Sequence, residues 1–303
     1  MKQVIILILS LLFITASYSQ DLVLPLYANT IPNAKTTPVD YIEETDSAGL
    51  ISNVSIPTIS VYFPEKTKAN GTAVILFAGG GYFVLAPKKC IEIAKAFNET
   101  GVTAFIVKYR LPNDKIMKDK TIGPLQDAQA AIKTVRTRAA EWHIDPQKIG
   151  LMGLSAGGHL VSTLGTQPNR VVIDNMENVS LVPDFMILLY PVIIYDPAIS
   201  RTRENLIGKK PSAQTLNLYS TDKQVNAKTP RTFLVHAADD EVIPVKNSLR
   251  FFEAMVKAGV PGEVHILQSG GHGFGISGSD DTNNWFTWCK DWMKKNNLLT
   301  TEN

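Results

Sequence analysis

The feature that most constrains this 303-residue chain is an alternation of short, largely apolar runs with stretches of helical spacing. Residues 72–78, 102–109, 149–154 and 183–191 are runs of the kind a strand shows when both of its faces are buried. Between and after them, residues 87–100, 124–142, 245–258 and 283–295 carry helical patterns, with Gly101 and Gly259 closing two of these. Two more strands are expected at 232–237 and 263–267. Strand and helix in turn predict an α/β fold, with a mostly parallel central sheet and helices on both faces.

The length from residue 20 onward suits one such domain, and neither an internal repeat nor a linker divides it. Residues 21–49 hold prolines and polar groups without a period and are expected to lie as an arm over the surface. Residues 56–63 alternate and predict a strand, and a turn at Asn70-Gly71 predicts that a hairpin opens the domain. The segment at about 194–229 breaks into charged, proline-containing pieces. It is expected to be an insertion above the carboxyl edge of the sheet, where a substrate pocket is shaped.

Residues 1–19 read as a secretory signal peptide: Lys2 supplies charge, 4–14 an apolar segment, and Ala16-Ser17-Tyr18-Ser19 a small-residue cleavage region ending near Ser19/Gln20. The apolar part is too short to span a bilayer, so a secreted or periplasmic protein without stable membrane insertion is expected. Without Lys2, 29 basic side chains face 28 acidic ones, a balance that speaks against nucleic acid and for a small or neutral partner. Cys90 and Cys289 do not make a disulfide scaffold, and both buried thiols and a single bridge are compatible with their helical settings. A homo-oligomer is neither required nor excluded.

Chemistry concentrates at residues 148–165. Gly153-Leu154-Ser155-Ala156-Gly157 is a G-x-S-x-G pattern between an apolar run and a helical one. In that order, a strand turning straight into a helix holds the serine hydroxyl out at the tip of the turn, and the flanking glycines relieve the crowding. Gly79-Gly80-Gly81 at the end of the 72–78 run lets backbone N–H groups point into a cavity, as an oxyanion hole requires. A phosphate loop would want a Lys-Ser/Thr pair after the glycines, and Tyr82-Phe83-Val84 offers none.

A serine hydroxyl needs a base, and the base needs a carboxylate to orient it. Of the five histidines, His272 stands among glycines in a loop after a strand; His143 sits in a polar loop, His236 and His265 in strands, and His159 on the helix after Ser155. His272 is therefore the expected base. Asp239 and Asp240 both follow the 232–237 strand, and the residues alone do not separate them.

Taken in order, Ala78-Gly79-Gly80-Gly81-Tyr82, 107–112, Gly153-Leu154-Ser155-Ala156-Gly157-Gly158-His159-Leu160, Asp240-Glu241-Val242-Ile243-Pro244 and Gly271-His272-Gly273-Phe274 resemble the α/β-hydrolase-fold carbohydrate esterases, especially the acetylxylan-esterase-like proteins. Ala78 departs from the pattern, standing where many relatives have His or Pro. The resemblance implies Ser155 as nucleophile, His272 as base, Asp240 as orienting carboxylate, and Gly80, Gly81 and Ala156 as the oxyanion hole. It implies no cofactor or metal, and a small ester such as an acetylated oligosaccharide as substrate. A serine exopeptidase, a lipase and a feruloyl esterase of the same fold compete, as does a non-catalytic carbohydrate-binding protein. Tyr82, Phe83 and the Ile193-Ile194-Tyr195 region are candidates to line an acyl pocket.

Overall fold

The structure, a computed structural model, describes residues 21–195, 200–276 and 284–299; the signal segment expected at residues 1–19 lies outside them. In chain order the elements are β1 (Leu22–Pro25), β2 (Glu44–Thr45), β3 (Ile51–Ser52), β4 (Thr58–Tyr62), β5 (Ala73–Phe77), α1 (Lys88–Glu99), β6 (Thr103–Lys108), α2 (Gly123–Thr137), β7 (Ile149–Leu154) and α3 (Ala156–Thr166). After these come β8 (Phe185–Leu189), α4 (Ser200–Ile207), α5 (Ala213–Tyr219), β9 (Arg231–Ala237), α6 (Lys246–Ala258), β10 (Gly262–Leu267) and α7 (Asn284–Lys295). Among the described residues no helix is long and apolar enough to cross a membrane.

Eight strands form one sheet in the order β1-β4-β6-β5-β7-β8-β9-β10, parallel from β6 to β10 and antiparallel at β1 and β4. Every residue of β5, β7 and β8 is buried, which requires cover on both faces and accounts for their unbroken apolar character. From β5, the chain passes first to β6 on one side and then across to β7 on the other. A crevice opens beyond the carboxyl ends of strands where the direction of winding reverses. The glycine loop after β5 and Ser155 after β7 stand at that point.

Three local expectations are corrected. No hairpin opens the domain, because β6 lies between β4 and β5. The Asn70-Gly71 turn instead docks on the loop that starts β6, where Asn70 donates to the carbonyls of Thr100 (3.0 Å) and Gly101 (3.0 Å). The arm does not merely lie over the surface: β1 is an edge strand of the sheet, and β2 and β3 form a small ribbon of their own. Its four residues alternate between half-buried and exposed, too short a pattern to read as a strand. The helix expected at 124–142 ends at Thr137. Turns carry its apolar stripe onward, with Trp142 packed 5.1 Å from Phe105 and beneath the Arg138 guanidinium at 4.3 Å.

Cys90 and Cys289 are free and buried, and burial pushes the Cys90 thiol up to about 12. The arm is anchored by a buried ion pair: Arg110 donates to Asp127 at 2.8 Å and to the Pro32 carbonyl at 2.9 Å, and Tyr27 donates its hydroxyl to Asp127 at 2.9 Å. Breaking such a pair from one side costs about 3–5 kcal/mol, because the remaining charge is left buried without its partner.

Candidate active site

β7 passes into α3 with Ser155 alone between them. Its backbone, at φ 54° and ψ −118°, is a conformation side-chain-bearing residues rarely adopt and costs roughly 1–3 kcal/mol. The turn is tight enough that a Cβ on Gly153 would lie 2.3 Å from the Gly157 carbonyl oxygen, which explains the first glycine of the motif. Ser155 donates its N–H to the Leu189 carbonyl (3.0 Å), and its own carbonyl accepts from Val192 (3.1 Å) and His159 (3.2 Å). The strained turn is thus pinned on both sides, leaving the hydroxyl half-exposed at its tip.

His272 comes to that hydroxyl from the loop after β10, with Nε2 2.9 Å from Ser155 Oγ and Nδ1 2.7 Å from Asp240 Oδ2. An ionised carboxylate can only accept, so Nδ1 carries the proton and Nε2 presents its lone pair to the serine. Tyr190 packs edge-on to the imidazole at 4.9 Å and donates its hydroxyl to the Phe274 carbonyl at 3.1 Å, fixing the loop at His272 and just after it.

The structure separates the two aspartates. Asp240 Oδ1 accepts from the backbone N–H groups of Val242 (2.9 Å) and Ile243 (2.8 Å), while Oδ2 faces both His272 and His236 (3.1 Å). Burial raises its carboxyl, but the hydrogen bonds from His236, His272 and Ile243 outweigh that and hold it well below the usual carboxylate range. Asp239 instead accepts from Gly270 (3.2 Å) and Gly271 (2.8 Å), tying down the backbone of the His272 loop.

The glycine loop after β5 packs directly on the serine: a Cβ on Gly79 would stand 3.0 Å from Ser155 Cβ. Gly80 and Gly81 have φ of 127° and 62°, open to glycine and strained for other residues. Among the described residues, no protein group accepts from the N–H of Gly80, Gly81 or Ala156. The loop is held from both ends. The Gly80 carbonyl accepts from Phe83 (3.0 Å) and Val84 (3.1 Å), and the Gly81 carbonyl accepts from Asn205 on α4 at 2.8 Å.

Beneath the loop, His159 is fully buried, accepting at Nδ1 from the hydroxyls of Tyr82 (3.0 Å) and Tyr195 (3.3 Å) and donating from Nε2 to the Tyr219 carbonyl (2.8 Å). Burial pushes its pKa down to about 4, against the Tyr219 carbonyl, which favours the charged ring. The imidazole therefore stays neutral at pH 7 and joins the glycine loop, the helix after Ser155 and the 194–229 segment.

A cleft of about 970 Å³ opens over Ser155 and His272. Its walls include Ala48 and Gly49 of the arm, Phe83, Arg201 and Thr202 of α4, and Val242. Arg201 and Thr202 belong to the 194–229 segment, and Asp46, Ala48 and Gly49 of the arm form a further wall. Of the acyl-pocket candidates only Phe83 lines the cleft; Tyr82, Ile193, Ile194 and Tyr195 are buried in the core. His143 and His265 lie outside the cleft lining. Among the described residues no cluster of three or more His, Cys, Asp or Glu is placed to hold a metal.

Two contributors were not legible in the sequence. His236 is buried in β9, donates from Nε2 to the Ile243 carbonyl (2.8 Å) and to Asp240, and accepts at Nδ1 from Ser248 (2.8 Å). Its only signal is a histidine four positions before the aspartate. Asn205 lies in a segment whose pattern is irregular, and nothing there marks it as a support for Gly81.

A serine hydrogen-bonded to a carboxylate-held imidazole, beside backbone N–H groups from which no described residue accepts, can pass a proton to the ring as its oxygen attacks a carbonyl. Residues 59–255 match the BD-FAE family. The chain is 35% identical over 222 residues to an acetylxylan esterase of Xylanibacter ruminicola, covering 71% of this chain and 43% of that protein. It is 30% identical over 242 residues to endo-1,4-beta-xylanase B of Butyrivibrio fibrisolvens, covering 76% and 36% respectively. The chain thus spans less than half the length of these two curated relatives. Among solved structures, the acetyl ester-xyloside bifunctional hydrolase of Caldicellulosiruptor lactoaceticus superposes with a TM-score of 0.78 at 32% identity, over 94% of this chain and 100% of that one.

Proposed function

The chain belongs to the BD-FAE family of α/β-hydrolase-fold proteins, and on that premise we propose that it is a serine carboxylesterase removing acetyl groups from plant or algal polysaccharide-derived sugars. The observation that carries the proposal is the continuous hydrogen-bonded path from Ser155 through His272 to Asp240. Ser155 Oγ attacks the ester carbonyl while His272 Nε2 takes its proton. The backbone donors of Gly80, Gly81 and Ala156 hold the tetrahedral oxyanion, each worth roughly 3–4 kcal/mol on the precedent of a single oxyanion-hole donor. The sugar alcohol departs with the proton from His272, and water hydrolyses the acyl-enzyme by the same steps in reverse.

The acetyl-sugar assignment is supported by the acetylxylan esterase relative and by the acetyl ester-xyloside hydrolase. Export to the periplasm or beyond is part of the same proposal and rests on residues 1–19 of the sequence. The test is hydrolysis of acetylated xylan, methyl ferulate and an aminoacyl amide side by side. Acetate release from acetylated xylan is expected to dominate. Preferential cleavage of the amide or the ferulate would replace the proposal with a peptidase or feruloyl esterase.

A further inference from the structure

Phe83, two residues past the oxyanion-loop glycines, is 58% exposed, whereas its neighbour Tyr82 is buried at 2%. Leaving a phenyl ring in water forgoes roughly 1.5–3 kcal/mol of burial, and single exposed apolar residues are common enough to need no reason. Two features set this one apart. It lines the same cleft as Ser155 and His272, and the Arg201 guanidinium, also lining that cleft, lies over its ring at 5.2 Å from the centroid.

The pair is also mechanically coupled to the reacting centre. Phe83 donates its N–H to the Gly80 carbonyl, and Asn205, one turn beyond Arg201 on α4, donates to the Gly81 carbonyl. The ring and the guanidinium are therefore held by the same short loop that frames the ester carbonyl. A cleft of about 970 Å³ is far larger than a two-carbon acyl group fills and reaches the upper end of the range for sites that enclose whole small-molecule ligands. Most of its volume is free for the alcohol part of the ester.

We propose that Phe83 and Arg201 form a subsite for a pyranose ring of the acetylated oligosaccharide, on the leaving-group side of Ser155. The proposal rests on the acetyl-sugar esterase reading above. A pyranose has a face of C–H bonds, weakly positive, that complements the negative face of a phenyl ring, and equatorial hydroxyls at its rim that accept from a guanidinium. Phe83 offers the ring face, and Arg201, with its guanidinium carbon 5.2 Å from the ring centroid, brings five N–H donors beside it. The Thr202 side chain, 3.5 Å from where a Cβ on Gly81 would stand, brings a further hydroxyl close to the loop.

The test compares kcat/KM for an acetylated xylo-oligosaccharide with kcat/KM for ethyl acetate, which has the same acyl group and no ring to stack. In Phe83→Ala the ratio of the two is expected to fall about tenfold, carried by KM, the size of one aromatic contact. Phe83→Trp and Phe83→Tyr are expected to keep the ratio, and Phe83→Leu, apolar without a ring face, to lose it as the alanine variant does. A ratio unchanged within about twofold in Phe83→Ala, or one kept by Phe83→Leu, overturns the subsite alone. A wild-type protein that hydrolyses ethyl acetate but releases no acetate from the oligosaccharide overturns the sugar-ester reading and the subsite with it.

Discussion

Asp239 and Asp240 are neighbours in the chain and bind two different parts of one loop: Asp239 accepts from the backbone N–H groups of Gly270 and Gly271, and Asp240 accepts from the imidazole of His272. The two carboxylates thus divide the work of bringing a histidine 117 residues away to Ser155. One fixes where the loop runs. The other fixes which nitrogen of the ring carries the proton.

That division predicts unequal variants. In Asp240→Asn the amide can donate to Nδ1, which turns the protonated nitrogen toward Ser155 and removes the base, so kcat is expected to fall by about 10³–10⁴. Asp239→Asn keeps one acceptor for the loop and is expected to lower kcat by less than about tenfold. Steady-state kinetics on a small acetate ester checks both. Equal losses would contradict the separate roles.

The glycine loop offers a steric test. A Cβ on Gly80 would stand 2.0 Å from the Val84 carbonyl oxygen, at a φ of 127°. Gly80→Ala must therefore move the loop, and a loss of about 10²–10³ in kcat is expected with the circular dichroism spectrum unchanged. Gly208 also has a positive φ, of 82°, but open space around it. Gly208→Ala is expected to cost about 1 kcal/mol of stability and leave turnover intact.

Acid stability follows from two groups whose folded pKa values lie below their ordinary ones. His159, ordinarily near 6.5, is held at about 4. Between those values the unfolded chain binds a proton that the folded one does not, so stability present above pH 6.5 is lost as pH falls toward 4, on the order of 3 kcal/mol. Asp240, whose carboxyl is held below its ordinary 3.8, adds a further loss beneath that pH. Thermal melts of wild type and His159→Gln across pH 7 to 4 check the first part. The wild-type Tm is expected to fall more steeply, and parallel curves would contradict the assignment.

The two thiols should be silent. Both are buried, and burial raises the pKa of each. A thiol reagent is expected to find no rapidly reacting cysteine in the folded protein and two after denaturation, and a reducing agent to leave Tm unchanged. A fast-reacting thiol in the native state would contradict the burial.

The elements most legible in the sequence were those whose environment is the same on every side. β5, β7 and β8 are buried on both faces, so composition alone marks them as strands. The Ser155 turn was legible because close backbone approach leaves glycine as the residue that fits at 153 and 157. Position in the sheet was not legible: the Asn70-Gly71 turn is a sound local signal, yet β6 enters from thirty residues away and takes the place beside β5. The choice between Asp239 and Asp240 was hidden from the residues alone, and only the family resemblance pointed to Asp240. Both follow β9, and only the direction in which each side chain leaves the turn decides its partner. His236 and the arm wall at Ala48 and Gly49 belong to the same class, since a strand histidine and an aperiodic segment carry no pattern that names what they meet in space.

The central claim is that Ser155 is a nucleophile activated by His272, and trapping it with a fluorophosphonate tests this most directly. Intact-mass analysis is expected to find one adduct per chain, mapped to Ser155, formed slowly or not at all in His272→Ala and absent from a folded Ser155→Ala protein that has also lost ester hydrolysis. A Ser155→Ala protein that still turns over the ester, or an adduct mapped to another residue, would contradict the account.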